Sequence, residues 1–186
     1  MLFRGVLGGT PNKNKNSFSL IELLVVVALV VLVVTFTVPR TTFVVRFLVQ
    51  AEINKLYSIF SYLQQRAMVS NQVQELSFDI ARHAYRFKTV QGVLTTQSLP
   101  GSVRFGVLDH VKGPPSNPTK PLEKAVTFPL RQGVSTVSFL TNGKITPGAV
   151  YLVDRGARYL GALTCPISQV SYIRKYAYDG QQWRSW

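Results

Sequence analysis

Near its N-terminus the chain carries a largely apolar run of 21 residues, 18–38, which reads FSLIELLVVVALVVLVVTFTV and holds one charged residue, Glu22. At ~1.5 Å per residue, a helix of this length would measure about 31 Å, close to the thickness of the hydrocarbon core of a bilayer. Valine is a poor helix former in water, but in lipid the backbone must satisfy its hydrogen bonds internally. The run therefore predicts a transmembrane helix over residues 18–38.

The flanks of this run indicate its orientation. An ordinary secretory signal fits less well, because its apolar region has ~7–15 residues and ends at a small-residue cleavage site. Arg4, Lys13 and Lys15 precede the run, and no acid occurs before it. Arg40 and Arg46 follow it, so the charge bias alone is weak. The basic, acid-free flank on the short side favours a cytoplasmic N-terminus.

Glu22 is unusual because a carboxylate inside an apolar span is costly unless it has a partner or lies close to the lipid headgroups. The residues that lead to it, Ser17-Phe18-Ser19-Leu20-Ile21-Glu22, resemble the processing site of type IV prepilins and type II secretion pseudopilins. In that family a prepilin peptidase of the inner membrane removes a short basic leader on the cytoplasmic face. The leader usually ends in Gly, where this chain has Ser17.

The resemblance implies cleavage between Ser17 and Phe18 and N-methylation of Phe18. Glu22 then becomes the fifth mature residue, and Pro39 falls at a position where many members carry proline. In a filament of packed helices, a buried Glu22 carboxylate can pair with the N-terminal amine of a neighbouring subunit, which offsets the desolvation of both groups. We therefore expect Glu22 and Pro39 to serve assembly, and we expect prepilin peptidase, other pilin or pseudopilin subunits and the inner membrane as partners.

After Pro39 the pattern becomes amphipathic. Apolar residues recur at three- and four-residue steps at Val49, Ile53, Leu56, Phe60, Leu63 and Ala67, which predicts a helix to about Val69. From Gln72 the period falls to two, and strands are predicted at 73–78, 85–90, 103–107, 134–139, 149–154, 158–163 and 170–178. Turns are predicted at 81–83, Asn142-Gly143 and Asp179-Gly180, and a loop at the proline-rich segment 113–121.

The predicted fold is α+β, with a long N-terminal helix packed on a C-terminal antiparallel sheet as in pilins. The segment 138–148, SFLTNGKITPG, followed by a strand, resembles the FimT/GspH class of minor pilins and pseudopilins. The implied organisation is a cleaved leader (1–17), an N-terminal helix (18–69) and a periplasmic β-rich domain (70–186). The resemblance places the mature chain in the inner membrane and then in a pilus or pseudopilus.

Charge is the remaining signal. The chain has 21 Lys and Arg against 8 Asp and Glu, a net charge of +13. Removal of the leader leaves 18 cations against 8 acids, a net charge of +10. Such a surface suits nucleic acid, anionic lipid or an acidic partner.

Cations and aromatic rings alternate near the C-terminus. Cations can hold phosphates and exposed rings can stack on bases, and some FimT-like minor pilins bind DNA near their closing hairpin. The alternative is ordinary packing of the rings with solvated cations outside. The candidate DNA-binding residues are Arg155, Arg158, Arg174, Lys175, Trp183, Arg184 and Trp186.

No catalytic constellation, cofactor motif or metal-ligand spacing is recognisable in the sequence. His83 and His110 are interpreted as solvated loop residues, and Cys165 lacks a reactive signature. Three hypotheses follow: a type II secretion pseudopilin, a competence-type minor pilin that binds DNA, and a membrane-anchored periplasmic enzyme. The first two are favoured.

Overall fold

The structure is a computed structural model that describes residues 19–37, 41–166 and 172–186. Two compact units divide the chain, Met1–Pro39 and Arg40–Trp186. In the described part of the first unit, helix α1 spans Leu20–Thr37. Its large apolar side chains are exposed on all sides, from 48% at Val26 to 81% at Leu20, and Glu22 is exposed as well.

Several N-terminal predictions concern residues outside the described ones, namely Ser17, Phe18 and Pro39. Among the described residues, no helix combines the length and the apolarity needed to cross a bilayer. The membrane span over residues 18–38 therefore stays a prediction, as does the continuity of the predicted helix through residues 38–40.

The second unit begins with helix α2, Thr41–Ser70, which ends one residue beyond the predicted end. The predicted apolar stripe is confirmed, because all six of its residues are buried, with exposures of 0–3%. A stripe of this kind lies on one side of a helix and buries itself against a second layer. Here that layer consists of two antiparallel sheets.

Five strands form each sheet. Sheet A has the order β3-β2-β1-β6-β5, and sheet B has the order β10-β9-β8-β7-β4. The strands are β1 (Gln74–Asp79), β2 (Ala84–Lys88), β3 (Leu94–Ser98), β4 (Val103–Phe105), β5 (Leu130–Arg131), β6 (Val134–Phe139), β7 (Gly148–Asp154), β8 (Leu160–Cys165), β9 (Arg174–Tyr178) and β10 (Trp183–Ser185). The α+β class is confirmed, with two sheets in place of the single predicted sheet.

Both sheets pack on α2 through one core. Phe60 of α2 lies edge-on to Phe139 of β6 at 5.2 Å between ring centroids and also contacts Phe78 and Phe128. On sheet B the helix comes close to the strand at Gly161, where a Cβ atom would lie 2.7 Å from Ile53 Cγ1. The glycine therefore lets the helix lie against the strand.

The other face of sheet B is covered by the segment that runs through the proline-rich loop. A second cluster of buried residues lies there, on strands β7, β8 and β9, and Val107, Leu108, Val111 and Leu122 pack against it. The loop was predicted correctly, since within 113–121 only Pro121 makes a bridge, to Lys112. Its role as a cover for a sheet is not evident from its composition.

The predicted turns are present, with one difference. Asp79 and Ala84 close the first hairpin, and Asp179-Gly180 closes the β9–β10 hairpin. Gly143 has a φ of 78°, and the Asn142 side chain accepts a hydrogen bond from the main-chain N–H of Lys144. This turn closes a short hairpin, with an antiparallel bridge between Phe139 and Ile145. Beyond that bridge, however, the chain leaves sheet A and continues as β7 of sheet B.

Candidate functional site

The cationic and aromatic candidates lie on strands of sheet B, in its β7–β8 turn or just beyond β10. The pleat separates those that lie on the strands. Along β9 the side chains of Arg174 and Tyr176 point to the loop-covered face, and those of Lys175 and Ala177 point towards α2. Neighbours in the sequence therefore lie on opposite faces of one strand.

Arg174 is exposed and is held between two tyrosines. Its guanidinium carbon lies 4.5 Å from the centroid of the Tyr172 ring, within the range of a cation–π contact. Nη1 donates a hydrogen bond to the Tyr176 hydroxyl at 3.4 Å, and this bond raises the pKa of Arg174 above its ordinary value. The side chain remains positively charged and accessible to an anion.

Lys175 points to the helix instead. Its Nζ donates a hydrogen bond to Asn54 Oδ1 at 2.8 Å and lies 4.8 Å from the centroid of the Tyr57 ring. Both partners belong to α2. Lys175 thus joins the edge region of sheet B to the helix and keeps its charge near the surface.

The two tryptophans differ in their surroundings. Trp183 is half-buried against Tyr178 and Tyr176, and its Nε1 donates a hydrogen bond to the main-chain oxygen of Lys112 at 2.8 Å. Trp186 is exposed, and its main-chain N–H donates to the oxygen of Lys175. Trp183 therefore packs as the aromatic core alternative describes, whereas Trp186 presents its ring to solvent.

Four of the seven candidates share one open concavity of about 660 Å³, called the terminal concavity below. It is lined by Tyr57, Pro115, Ile173, Arg174, Lys175, Tyr176, Trp183, Ser185 and Trp186. The sequence offered no signal for Tyr57 and Pro115, since they come from α2 and the proline-rich loop. Cations, a tyrosine and an exposed tryptophan around a hollow can take a ligand with negative charge and flat rings.

The other three candidates lie elsewhere. Arg184 Nε forms an ion pair with Asp179 Oδ2 at 2.9 Å. The main-chain N–H groups of Gln182 and Gln181 donate to Asp179, and with Arg184 they hold its pKa below the ordinary value. The carboxylate thus neutralises part of the charge of this hairpin.

Arg155 and Arg158 belong to the β7–β8 turn, at the opposite end of the sheet from Arg174. Leu160, next to this turn, pairs with Tyr178, whereas Arg174 pairs with Thr164. The four residues from Arg174 to Tyr178 correspond to about 13 Å along a strand. Proximity in the sequence to the C-terminal cations was therefore misleading.

The remaining candidates for chemistry are accounted for by packing. Cys165 is buried on the α2 side of sheet B, and burial raises the pKa of its thiol to about 12. His110 is exposed as expected. The expectation for His83 was wrong, because its ring is half-buried beside Phe105 in the first hairpin turn. Among the described residues, no three His, Cys, Asp or Glu side chains are grouped to hold a metal ion.

Comparison with known proteins adds one family match. Residues 12–38 match the family described as the prokaryotic N-terminal methylation motif. Two solved structures of the minor pseudopilin EpsH from the type 2 secretion system of Vibrio cholerae are similar to the chain. One has a TM-score of 0.47 at 13% identity, over 68% of this chain and 94% of that one. The other has 0.42 at 14%, over 69% and 94%. No curated protein matches the chain in sequence.

Proposed function

We propose that this chain, which carries the N-terminal methylation motif of type IV pilin-like proteins, is a minor pilin or pseudopilin. The motif covers residues 12–38 and so includes the predicted junction, Glu22 and the apolar run. In this role a prepilin peptidase cuts between Ser17 and Phe18, Phe18 is N-methylated, and the mature chain is held in the inner membrane with its N-terminus cytoplasmic. It then joins a type II secretion pseudopilus or a type IV pilus.

The main support for this proposal is the exposed apolar surface of α1. From Leu20 to Val33 its leucines and valines are exposed all around the helix, and among them no stripe is turned towards a core. At ~25 cal/mol per Å² of apolar surface, leaving such a helix in water is strongly unfavourable. Lipid before assembly and the helices of other subunits after assembly supply the missing apolar surroundings.

Glu22 gives the proposed assembly its register. It is the acidic residue in the first turn of α1, and it is exposed. In a packed filament a lone carboxylate would be costly to desolvate, so a neighbouring subunit must offer a positive group. The amine of a processed Phe18 supplies that group. The role is structural and needs no catalytic residue, cofactor or metal.

Mass spectrometry of the N-terminus of the mature protein tests the processing step. We expect a chain that begins at Phe18 with one added methyl group in cells with an active prepilin peptidase, and an uncut chain in cells that lack the enzyme. A chain that keeps Met1 in both strains would contradict the proposal.

Glu22→Ala tests the assembly step. We expect the variant to enter the membrane and to be cut, because the span becomes more apolar, while its share of sheared filaments falls sharply. Thr35→Ala is the matched control, since the Thr35 hydroxyl donates to the main-chain oxygen of Val31 in its own helix, at 2.7 Å, and no charge is lost. Equal incorporation of Glu22→Ala and Thr35→Ala would refute the pairing role.

The terminal concavity favours a second candidate function, DNA binding by a competence-type minor pilin. Arg174 and Lys175 bring positive charge to its two sides, and Trp186 and Tyr57 offer ring surfaces. We expect the full chain in detergent micelles to bind a labelled DNA duplex weakly, with an affinity that falls as salt rises.

Two double variants, each of which removes two positive charges, distinguish binding at the terminal concavity from binding by the positive charge of the whole domain. Arg174→Gln with Lys175→Gln removes both cations of the concavity, and Arg155→Gln with Arg158→Gln removes two at the other end of the sheet. Only the first pair should weaken binding and flatten the salt dependence. If both pairs weaken it equally, the concavity has no special role.

A further inference from the structure

The outer edge of sheet A is open at β3. Within residues 19–37, 41–166 and 172–186, strand β3 pairs with β2 on one side and has no neighbouring strand on the other. Leu99 N–H donates to His83 oxygen, and Thr89 N–H donates to Val93 oxygen. Hydrogen-bonded and non-bonded pairs alternate in an antiparallel ladder. With the register Lys88↔Leu94 to Ala84↔Ser98, the main-chain groups of Leu94, Thr96 and Ser98 face away from β2.

This edge lacks the features that protect the other sheet edges in the described part of the chain. Strand β5 has two residues and includes Arg131, and β10 and β4 have three each and include Arg184 and Arg104. Strand β3 has five residues, and no charge occurs from Thr89 to Ser98. Natural edges are usually blunted by charge, by proline or by shortness. An edge left long and uncharged can accept another strand.

The surroundings of this edge are basic and partly apolar. Arg86 lies directly opposite Thr96, and Lys88 lies opposite Leu94, so both cations share the outer face of the sheet with the edge residues. Together with Arg131 they line an open concavity of about 860 Å³. Its one acid, Glu75, is already paired with Arg131. The exposed side chains of Val90, Val93 and Leu94 add an apolar margin.

We infer that β3 receives an extended acidic segment of a partner protein as an added sixth strand of sheet A. The main-chain groups of Leu94, Thr96 and Ser98 bond to the segment. Alternate acidic side chains of the segment reach Arg86 across Thr96 and Lys88 across Leu94. Charge favours this occupant over a second copy of the chain, because two copies would each bring a net charge of +13, or of +10 once the leader is removed. The inference is independent of assembly through α1.

A short fluorescent peptide that repeats Thr-Glu-Val-Glu tests this inference, with the full chain in detergent micelles and fluorescence anisotropy as the readout. A second peptide with Lys in place of Glu is the control for charge. We expect the acidic peptide to bind and the basic one not to bind, with an affinity that falls as salt rises.

Thr96→Pro removes one free N–H without touching the β2–β3 ladder, and Thr96→Val keeps that N–H with a similar side-chain volume. We expect Thr96→Pro to weaken binding roughly two- to tenfold relative to Thr96→Val, the worth of about one net hydrogen bond. Arg86→Gln with Lys88→Gln should also weaken it, whereas Arg155→Gln with Arg158→Gln should not. This charge pair decides the matter if Thr96→Pro fails to fold.

Three results would overturn the inference. One is that the acidic peptide does not bind at high micromolar protein, or binds no better than the basic one. Another is that neither Thr96→Pro nor the Arg86/Lys88 pair changes its affinity relative to their controls. The third is a dimer in sedimentation that Thr96→Pro dissociates, which would assign the edge to a second copy.

Discussion

Helices α1 and α2 differ in how much of their apolar surface is buried within the chain. In α1 the apolar residues lie all around the axis and are exposed. In α2 six of them form one stripe, which is buried against two sheets of the same chain, and the exposed residues between them are mostly polar. The distribution of apolar residues around each helix thus indicates whether the surface that covers them belongs to the same chain or to its surroundings. An apolar stripe on one side can be buried against other elements of the same chain. A helix that is apolar on all sides needs lipid or other protein around it.

Substitution of one apolar side chain in each helix tests this contrast most strongly. Phe60→Ala should destabilise the second unit by about 3–5 kcal/mol, because Phe60 is fully buried among aromatic rings of the core. Val30→Ala in α1 should leave that unfolding transition unchanged. Denaturant unfolding of the full chain in detergent, followed by tryptophan fluorescence, measures both. Equal destabilisation by the two variants would break the comparison.

A smaller effect is expected at the contact between α2 and sheet B. In Gly161→Ala the new methyl group would lie 2.7 Å from Ile53 Cγ1 and 3.1 Å from Val49 Cγ1, so the helix or its side chains must move. We expect a loss of about 1–3 kcal/mol in the free energy of unfolding. Gly101→Ala is the control, since a Cβ there meets nothing within 4 Å. A neutral Gly161→Ala would mean that the helix lies farther from the strand.

The smallest effect is expected where α2 meets β9 through polar groups. Lys175→Met removes the hydrogen bond to Asn54 and the contact of the ammonium with Tyr57. Because Lys175 lies at the surface, we expect a loss of at most about 1 kcal/mol. The exposed Lys124→Met serves as the control in the same unfolding assay. A loss as large as that of Phe60→Ala would show that polar contacts, and not the apolar stripe, hold α2 in place.

The sequence predicted the parts of the fold that local patterns determine. The α2 stripe follows from its three- and four-residue steps, and the turns at Asn142-Gly143 and Asp179-Gly180 follow from residues that favour a positive φ or cap a turn. Strand β3 was missed because its polar residues show no alternation of apolar and polar side chains. The division into two sheets depends on pairing between distant strands, to which no local pattern corresponds.

In the candidate site, too, the sequence indicated the residue types but not their arrangement in space. The cations and rings near the C-terminus were visible as a group, but the alternation of a strand puts Arg174 and Lys175 on opposite faces. The register of β8 and β9 separates Arg158 from them, and Tyr57 joins them from a distant helix. Predictions for Ser17, Phe18 and Pro39 concern residues outside the described part and stay predictions.

The arrangement in which α2 contacts strands of both sheets has a mechanical consequence. Strands β7, β8 and β9 of sheet B contact it, and so do β1 and β6 of sheet A. A force along the axis of α2 would load these contacts in shear, and two sheets would share that load. Since close-packed interiors transmit strain with little give, a pull on α2 would be passed to both sheets at once.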